Sequence, residues 1–144
     1  MDTQQEQKIT EFNKSRNKSI KFKGKNIKVI IIGDAKKEFE NINKKSKEEI
    51  LKGITKSQTQ TLLSSLKQKI ELLKKDPEYG THISKNKIPK KYLKLEINNL
   101  WKINLTGAWR MLYSIKSNKI EIVSLILEII DHKKYEKILN YKKS

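Results

Sequence analysis

Seven stretches of this chain repeat their apolar positions with a period of two or of three to four, and each period names an element. Ile27-Lys28-Val29-Ile30-Ile31-Ile32 is short and β-branched and reads as a first strand, stopped by Gly33-Asp34. Asp34 is placed to cap a helix beginning at Ala35, with Phe39 and Ile42 on its apolar face; the pattern thins over Lys44–Lys47, resumes at Ile50 and Leu51, and breaks at Gly53. From Ser57 to Lys75, Leu62, Leu63, Leu66, Ile70 and Leu73 keep helical spacing until Asp76-Pro77 ends the run. These two segments make a helical hairpin with one apolar stripe per helix.

Residues 78–98 have no clear period and hold Gly80, Pro89, Lys85, Lys87, Lys90 and Lys91, which reads as a long basic loop of a length that usually carries function. Three strand signals follow, at 99–105, 108–116 and 119–130, with turns at Thr106-Gly107 and Ser117-Asn118. The chain then enters a short helix that Asp131 caps. The expected fold is therefore α+β: an N-terminal strand, a helical hairpin, a three-stranded antiparallel meander and a short C-terminal helix. One twisted sheet covers its apolar face with the helical pair. Residues 1–25 hold few apolar side chains and seven basic against three acidic residues, and read as a flexible basic tail before a folded domain over 26–144.

Alternation along the meander sorts its side chains onto two faces. Trp101, Ile103 and Leu105 share one face, as do Trp109, Met111, Tyr113 and Ile115, whereas Lys102, Asn104 and Arg110 point the other way. A three-residue loop centred on Thr106 sets Lys102 directly opposite Arg110, two cations that repel unless an anion lies between them; a two-residue loop shifts the register. Composition sharpens the interest in Arg110. Only two of the 33 basic residues are arginines, so this one stands where lysine is otherwise the rule. It suits forked hydrogen bonding to phosphate, and equally suits packing on an aromatic ring.

The net charge of +17 favours a polyanionic partner, although a Lys-, Asn- and Ile-rich composition also accompanies AT-rich coding sequence. The absence of cysteine excludes disulfides, thiolate metal sites and cysteine nucleophiles, and two histidines are few for a metal centre. No metal or cofactor is expected. No apolar run has the length of a membrane span and the N-terminus is polar, so a cytoplasmic protein is expected.

The run Lys102-x-Asn104-Leu105-x-Gly107-x-Trp109-Arg110-Met111-Leu112-Tyr113, with the β-branched strand and Asp131-His132-Lys133-Lys134-Tyr135 behind it, resembles the RelE/ParE superfamily of type II toxin–antitoxin toxins. Gly33-Asp34-Ala35 and Asp76-Pro77-Glu78-Tyr79-Gly80 fit archaeal RelE-like members, and the resemblance covers roughly residues 27–141. It implies a small microbial-RNase-like sheet and, in the RelE branch, metal-free cleavage of mRNA in the ribosomal A site.

By the same resemblance, Lys102 orients or deprotonates the 2′-OH and Arg110 stabilises charge on the phosphate. Lys133, standing where many members have arginine, assists the leaving group. Tyr135 stacks on or orients the nucleotide, and His132 matches an acid/base histidine of some branches. Asn104, where the best-known branch has a second lysine, would contact RNA together with Lys85, Lys87, Lys90, Lys91 and Tyr113. The implied partners are mRNA on the ribosome and an acidic antitoxin. A ParE-like inhibitor of DNA gyrase and a non-catalytic basic RNA- or antitoxin-binding module are the alternatives.

Overall fold

A computed structural model describes residues 22–139, so most of the basic tail, residues 1–21, lies outside the described residues. The elements run β1 (Asn26–Ile31), α1 (Gly33–Leu51), α2 (Gln58–Leu73), β2 (Thr81–His82), α3 (Lys90–Leu93), β3 (Trp101–Asn104), β4 (Arg110–Ser117), β5 (Glu121–Ile130) and α4 (His132–Leu139). They form an α+β fold around one mixed sheet in the order β1-β5-β4-β3-β2. β1 runs parallel to β5, and all other neighbours are antiparallel. The helical hairpin supplies the crossover that this parallel pairing needs.

Most boundaries follow from local chemistry. Ser57 caps α2 by accepting the Gln60 amide at 3.1 Å, and its hydroxyl donates to Glu49 on α1, tying the hairpin together at its turn. Asp131 caps α4 by accepting the Lys134 amide at 2.9 Å. Asn118 accepts the amides of Ile120 and Glu121 and closes the β4–β5 turn. Asp34 is a correction: Ile32 is the N-cap of α1, and Asp34 sits in the first turn, favourably placed for the helix dipole. Ile50 and Leu51 are helical but exposed, and Ser46 continues the buried stripe of Ala35 and Ile42.

The sheet is covered on both faces, which the hydrophobic pattern of the helices alone does not require. On one face Ile103, Met111, Tyr113, Ile126 and Ile129 pack against Leu62, Leu63, Leu66 and Leu73 of α2 and Ala35 and Ile42 of α1. On the other, Leu100, Leu112, Leu127 and Ile130 pack against Tyr135 and Leu139 of α4 and against Ile83, Ile88, Tyr92 and Ile97. The segment 78–98 is thus no loop. It contains the edge strand β2, a 3-10 turn at Lys85–Lys87 and α3, and its buried side chains are spaced too irregularly to show a period. β2 is also the strand beyond the four expected.

Tyr113 fixes this segment to the sheet. It is fully buried; its hydroxyl donates to the Pro77 carbonyl at 2.7 Å and accepts the Gly80 amide at 3.0 Å. Gly80 is required there for close approach, because a β-carbon on it would lie 2.7 Å from the Lys102 carbonyl oxygen and 2.9 Å from the Tyr113 hydroxyl. Among the described residues no helix is long and apolar enough to cross a membrane.

Candidate functional site

The β3–β4 connection decides where the cations stand. Gly107 takes a φ of 63°, the Leu105 amide bonds the Trp109 carbonyl at 2.8 Å, and the hairpin closes around Gly107. Asn104 is therefore opposite Arg110 and Lys102 opposite Leu112. This corrects the register centred on Thr106: Lys102 and Arg110 are diagonal neighbours, a spacing long side chains can bridge. They remain on one face, because a shift of two residues preserves alternation.

Both converge on α4. The Lys102 Nζ lies 5.7 Å and the Arg110 Cζ 5.6 Å from the centroid of the Tyr135 ring, within cation–π range. Among the described residues no carboxylate pairs with either cation. Arg110 donates through Nη1 to the Trp109 carbonyl at 3.1 Å, while its buried Nε has no hydrogen-bond partner among the described residues. Arg110 therefore keeps one buried donor unsatisfied, on the same aromatic ring as an ammonium that no described carboxylate offsets.

The remaining sequence-predicted residues divide. His132 starts α4 and is held by Glu136, Nε2 to Oε2 at 2.8 Å, one turn along the same helix. Lys133 opens instead into a groove of 580 Å³ between α4, the end of β5 and the start of α3. Lys91 lines the same groove; Lys85, Lys87 and Lys90 are exposed on the segment before it. No hydrogen bond or ion pair joins His132 or Lys133 to Lys102 or Arg110. Asn104 is exposed beside Arg110, as an RNA contact requires. Tyr113 is a further correction, since a fully buried ring with its hydroxyl bonded to backbone offers nothing to a ligand. Tyr135 is 4% exposed and packed in the second core, so its ring supports the two cations and is not available as a stacking platform.

Glu128 is the residue that sequence reasoning missed. It is 5% exposed, and its Oε2 accepts from the Tyr92 hydroxyl at 2.6 Å and from Lys91 Nζ at 3.2 Å. The available signal is a carboxylate between Leu127 and Ile129 inside an apolar strand, where a charge persists only with partners. Burial, reinforced by the Glu128 hydrogen bond and charge, raises the Tyr92 phenol far above its ordinary value of 10.0; burial likewise raises Tyr113. The folded chain thus holds both phenols neutral at a pH where the unfolded chain ionises them. The stability this supplies is complete below about pH 10 and is lost as pH rises beyond it. In an alkaline titration, phenolate absorbance from at least two of the five tyrosines, Tyr92 and Tyr113, should appear only with loss of circular dichroism. Ionisation of all five with the spectrum intact would contradict the burial of Tyr92 and Tyr113.

A second groove, of 330 Å³, runs from Thr55 and Lys56 along α2 to Thr106, with hydroxyls and amides as most of its lining, and receives none of the sequence-predicted residues. Compared with protein-family models, with curated proteins and with solved structures, the chain finds no match.

Proposed function

We propose that this chain is a RelE-like toxin: a cytoplasmic endoribonuclease that cuts mRNA on the ribosome and is restrained by an acidic antitoxin. The observation that carries the proposal is the convergence of Lys102 and Arg110 on the Tyr135 ring, with the Arg110 Nε lacking a partner and neither cation offset by a described carboxylate. An RNA phosphodiester would supply the negative charge that neither cation finds among the described carboxylates.

The chemistry follows from placing a phosphate there. The 2′-oxygen forms a bond to phosphorus and loses its proton; the bond from phosphorus to the 5′-oxygen of the next nucleotide breaks, and that oxygen gains a proton. The products are a 2′,3′-cyclic phosphate and a 5′-hydroxyl. Lys102 orients the 2′-OH, whose proton passes to water, and Arg110 bears the charge that grows on the non-bridging oxygens. His132 and Lys133, on the first turn of α4, are the groups from which the leaving oxygen can be protonated. His132 must first give up Glu136. Purified protein added to a translating extract should produce cuts in mRNA, mapped by primer extension, that are absent when ribosomes are withheld. Intact mRNA on translating ribosomes would overturn the proposal.

One observation favours a second reading, a non-catalytic RNA- or antitoxin-binding module. Tyr135 is buried and His132 is paired away from the cations, so the acid/base set is not assembled around Lys102 and Arg110. Retention of RNA without cleavage identifies that case. A ParE-like gyrase inhibitor leaves the paired cations unexplained, and a supercoiling assay tests it.

A further inference from the structure

The groove beside α4 contains a polar group that the cleavage chemistry does not use. Glu128 forms part of its floor, and one of its two carboxylate oxygens is committed: Oε2 takes both the Tyr92 hydroxyl and the Lys91 ammonium. Oε1 makes no hydrogen bond among the described residues and is not among their sealed, unpartnered atoms, and Glu128 lines the groove. A buried side chain held by two donors at one oxygen presents the other as a fixed acceptor. Around it stand Lys91, Lys133, Lys134 and Lys137. Asp34 and Asp131 share the rim, but the Asp131 carboxylate already accepts the Lys134 amide.

A ligand that satisfies this groove carries N–H donors for its floor and negative charge for its lysines. A nucleotide of single-stranded RNA has both. We propose that the groove is a base-recognition subsite in which Glu128 accepts the exocyclic amino group of a base and the lysines hold the flanking phosphates. Cytosine is favoured over uracil, because the amino group at C4 donates where the uracil carbonyl would face the carboxylate oxygen-to-oxygen. This deepens the proposed function and rests on its premise that the chain binds single-stranded RNA. Position supports it. Lys102, Leu112 and Glu128 form one cross-strand row on one sheet face, so the subsite lies two strand spacings, about 10 Å, from Lys102. One RNA strand can touch both.

The ties on Glu128 also dictate what a glutamine does there. Tyr92 and Lys91 are both donors, so they hold the amide oxygen of Glu128→Gln and turn its NH₂ into the groove. The floor changes from acceptor to donor, and the preference moves from cytosine to uracil. Fluorescence anisotropy with labelled hexanucleotides of rC and rU, without ribosomes, reads this directly. Wild type should bind rC about tenfold more tightly than rU. Glu128→Gln should lose or reverse that ratio, and the Lys134→Ala/Lys137→Ala double variant should weaken both ligands alike and flatten the salt dependence.

A ligand-side control is independent of any variant's folding: N4,N4-dimethylcytidine oligomers lack the donor and should bind wild type no better than rU. Equal affinity of wild type for rC and rU, tight binding of the dimethyl analogue, or an unchanged ratio in a folded Glu128→Gln overturns the subsite. Discrimination without mRNA cleavage would refute the endonuclease and leave the subsite standing. Cleavage without discrimination would do the reverse.

Discussion

Arg110→Ala should lower the proposed ribosome-dependent mRNA cleavage by about 10²–10³-fold, the size expected when a donor aimed at transition-state charge is removed. Stability should change by no more than about 1 kcal/mol, because truncation also removes a buried Nε that has no partner. The contrast between the two readouts separates function from packing. An arginine present only to cover Tyr135 would give the opposite result, a lower melting temperature with cleavage retained. Arg110→Lys restores the charge without the fork and should recover part of the rate. In cells, the proposed function predicts that wild type arrests growth and that Arg110→Ala does not.

Gly80→Ala should be the most damaging small substitution in the fold, at about 2–4 kcal/mol. The added β-carbon would stand 2.7 Å from the Lys102 carbonyl oxygen, which is backbone, and 2.9 Å from the Tyr113 hydroxyl. Relief requires β2 to move away from β3. That movement breaks the bond from the Gly80 amide to Tyr113 and unpins Lys102 from its register. Chemical denaturation should show a lower midpoint, and cleavage should fall with it. An alanine variant as stable as wild type would mean that the Gly80–Tyr113 tie contributes nothing.

The helical hairpin and the long strand were legible because their apolar periods are regular and their ends carry Ser57, Asn118 and Asp131, residues whose side chains bond nearby amides. The expected strand 99–105 is shorter in the structure, Trp101–Asn104, and Asn99 shows why its start was misplaced. Its side-chain amide bonds both the carbonyl and the amide of Ile115, at 2.9 and 2.8 Å, in place of a backbone pair. The segment 78–98 was illegible for a different reason. Ile83, Ile88, Tyr92 and Ile97 are buried singly from short turns, and only the three-dimensional position of the sheet makes one core of them.

Lys102 and Arg110 were visible in the sequence as residues of one face, which alternation guarantees. Their diagonal placement was not visible, because it depends on how many residues the turn around Gly107 takes up. Tyr135 was found, but its part was not. Helical spacing puts it on the α4 face toward the sheet, where its ring underlies the cations. Glu128 is marked in its strand only as a carboxylate in an apolar run, and its role escaped notice because both its partners, Lys91 and Tyr92, come from the segment that showed no period.

In the proposed function, Lys102 and Arg110 form a phosphate site for RNA cleavage. Primer extension across a message on translating ribosomes, with wild type and Arg110→Ala side by side, tests it most directly. Wild type should give discrete cuts ending in 2′,3′-cyclic phosphate and 5′-hydroxyl, and Arg110→Ala none above background. Identical patterns from the two proteins, or an uncut message with both, would contradict it.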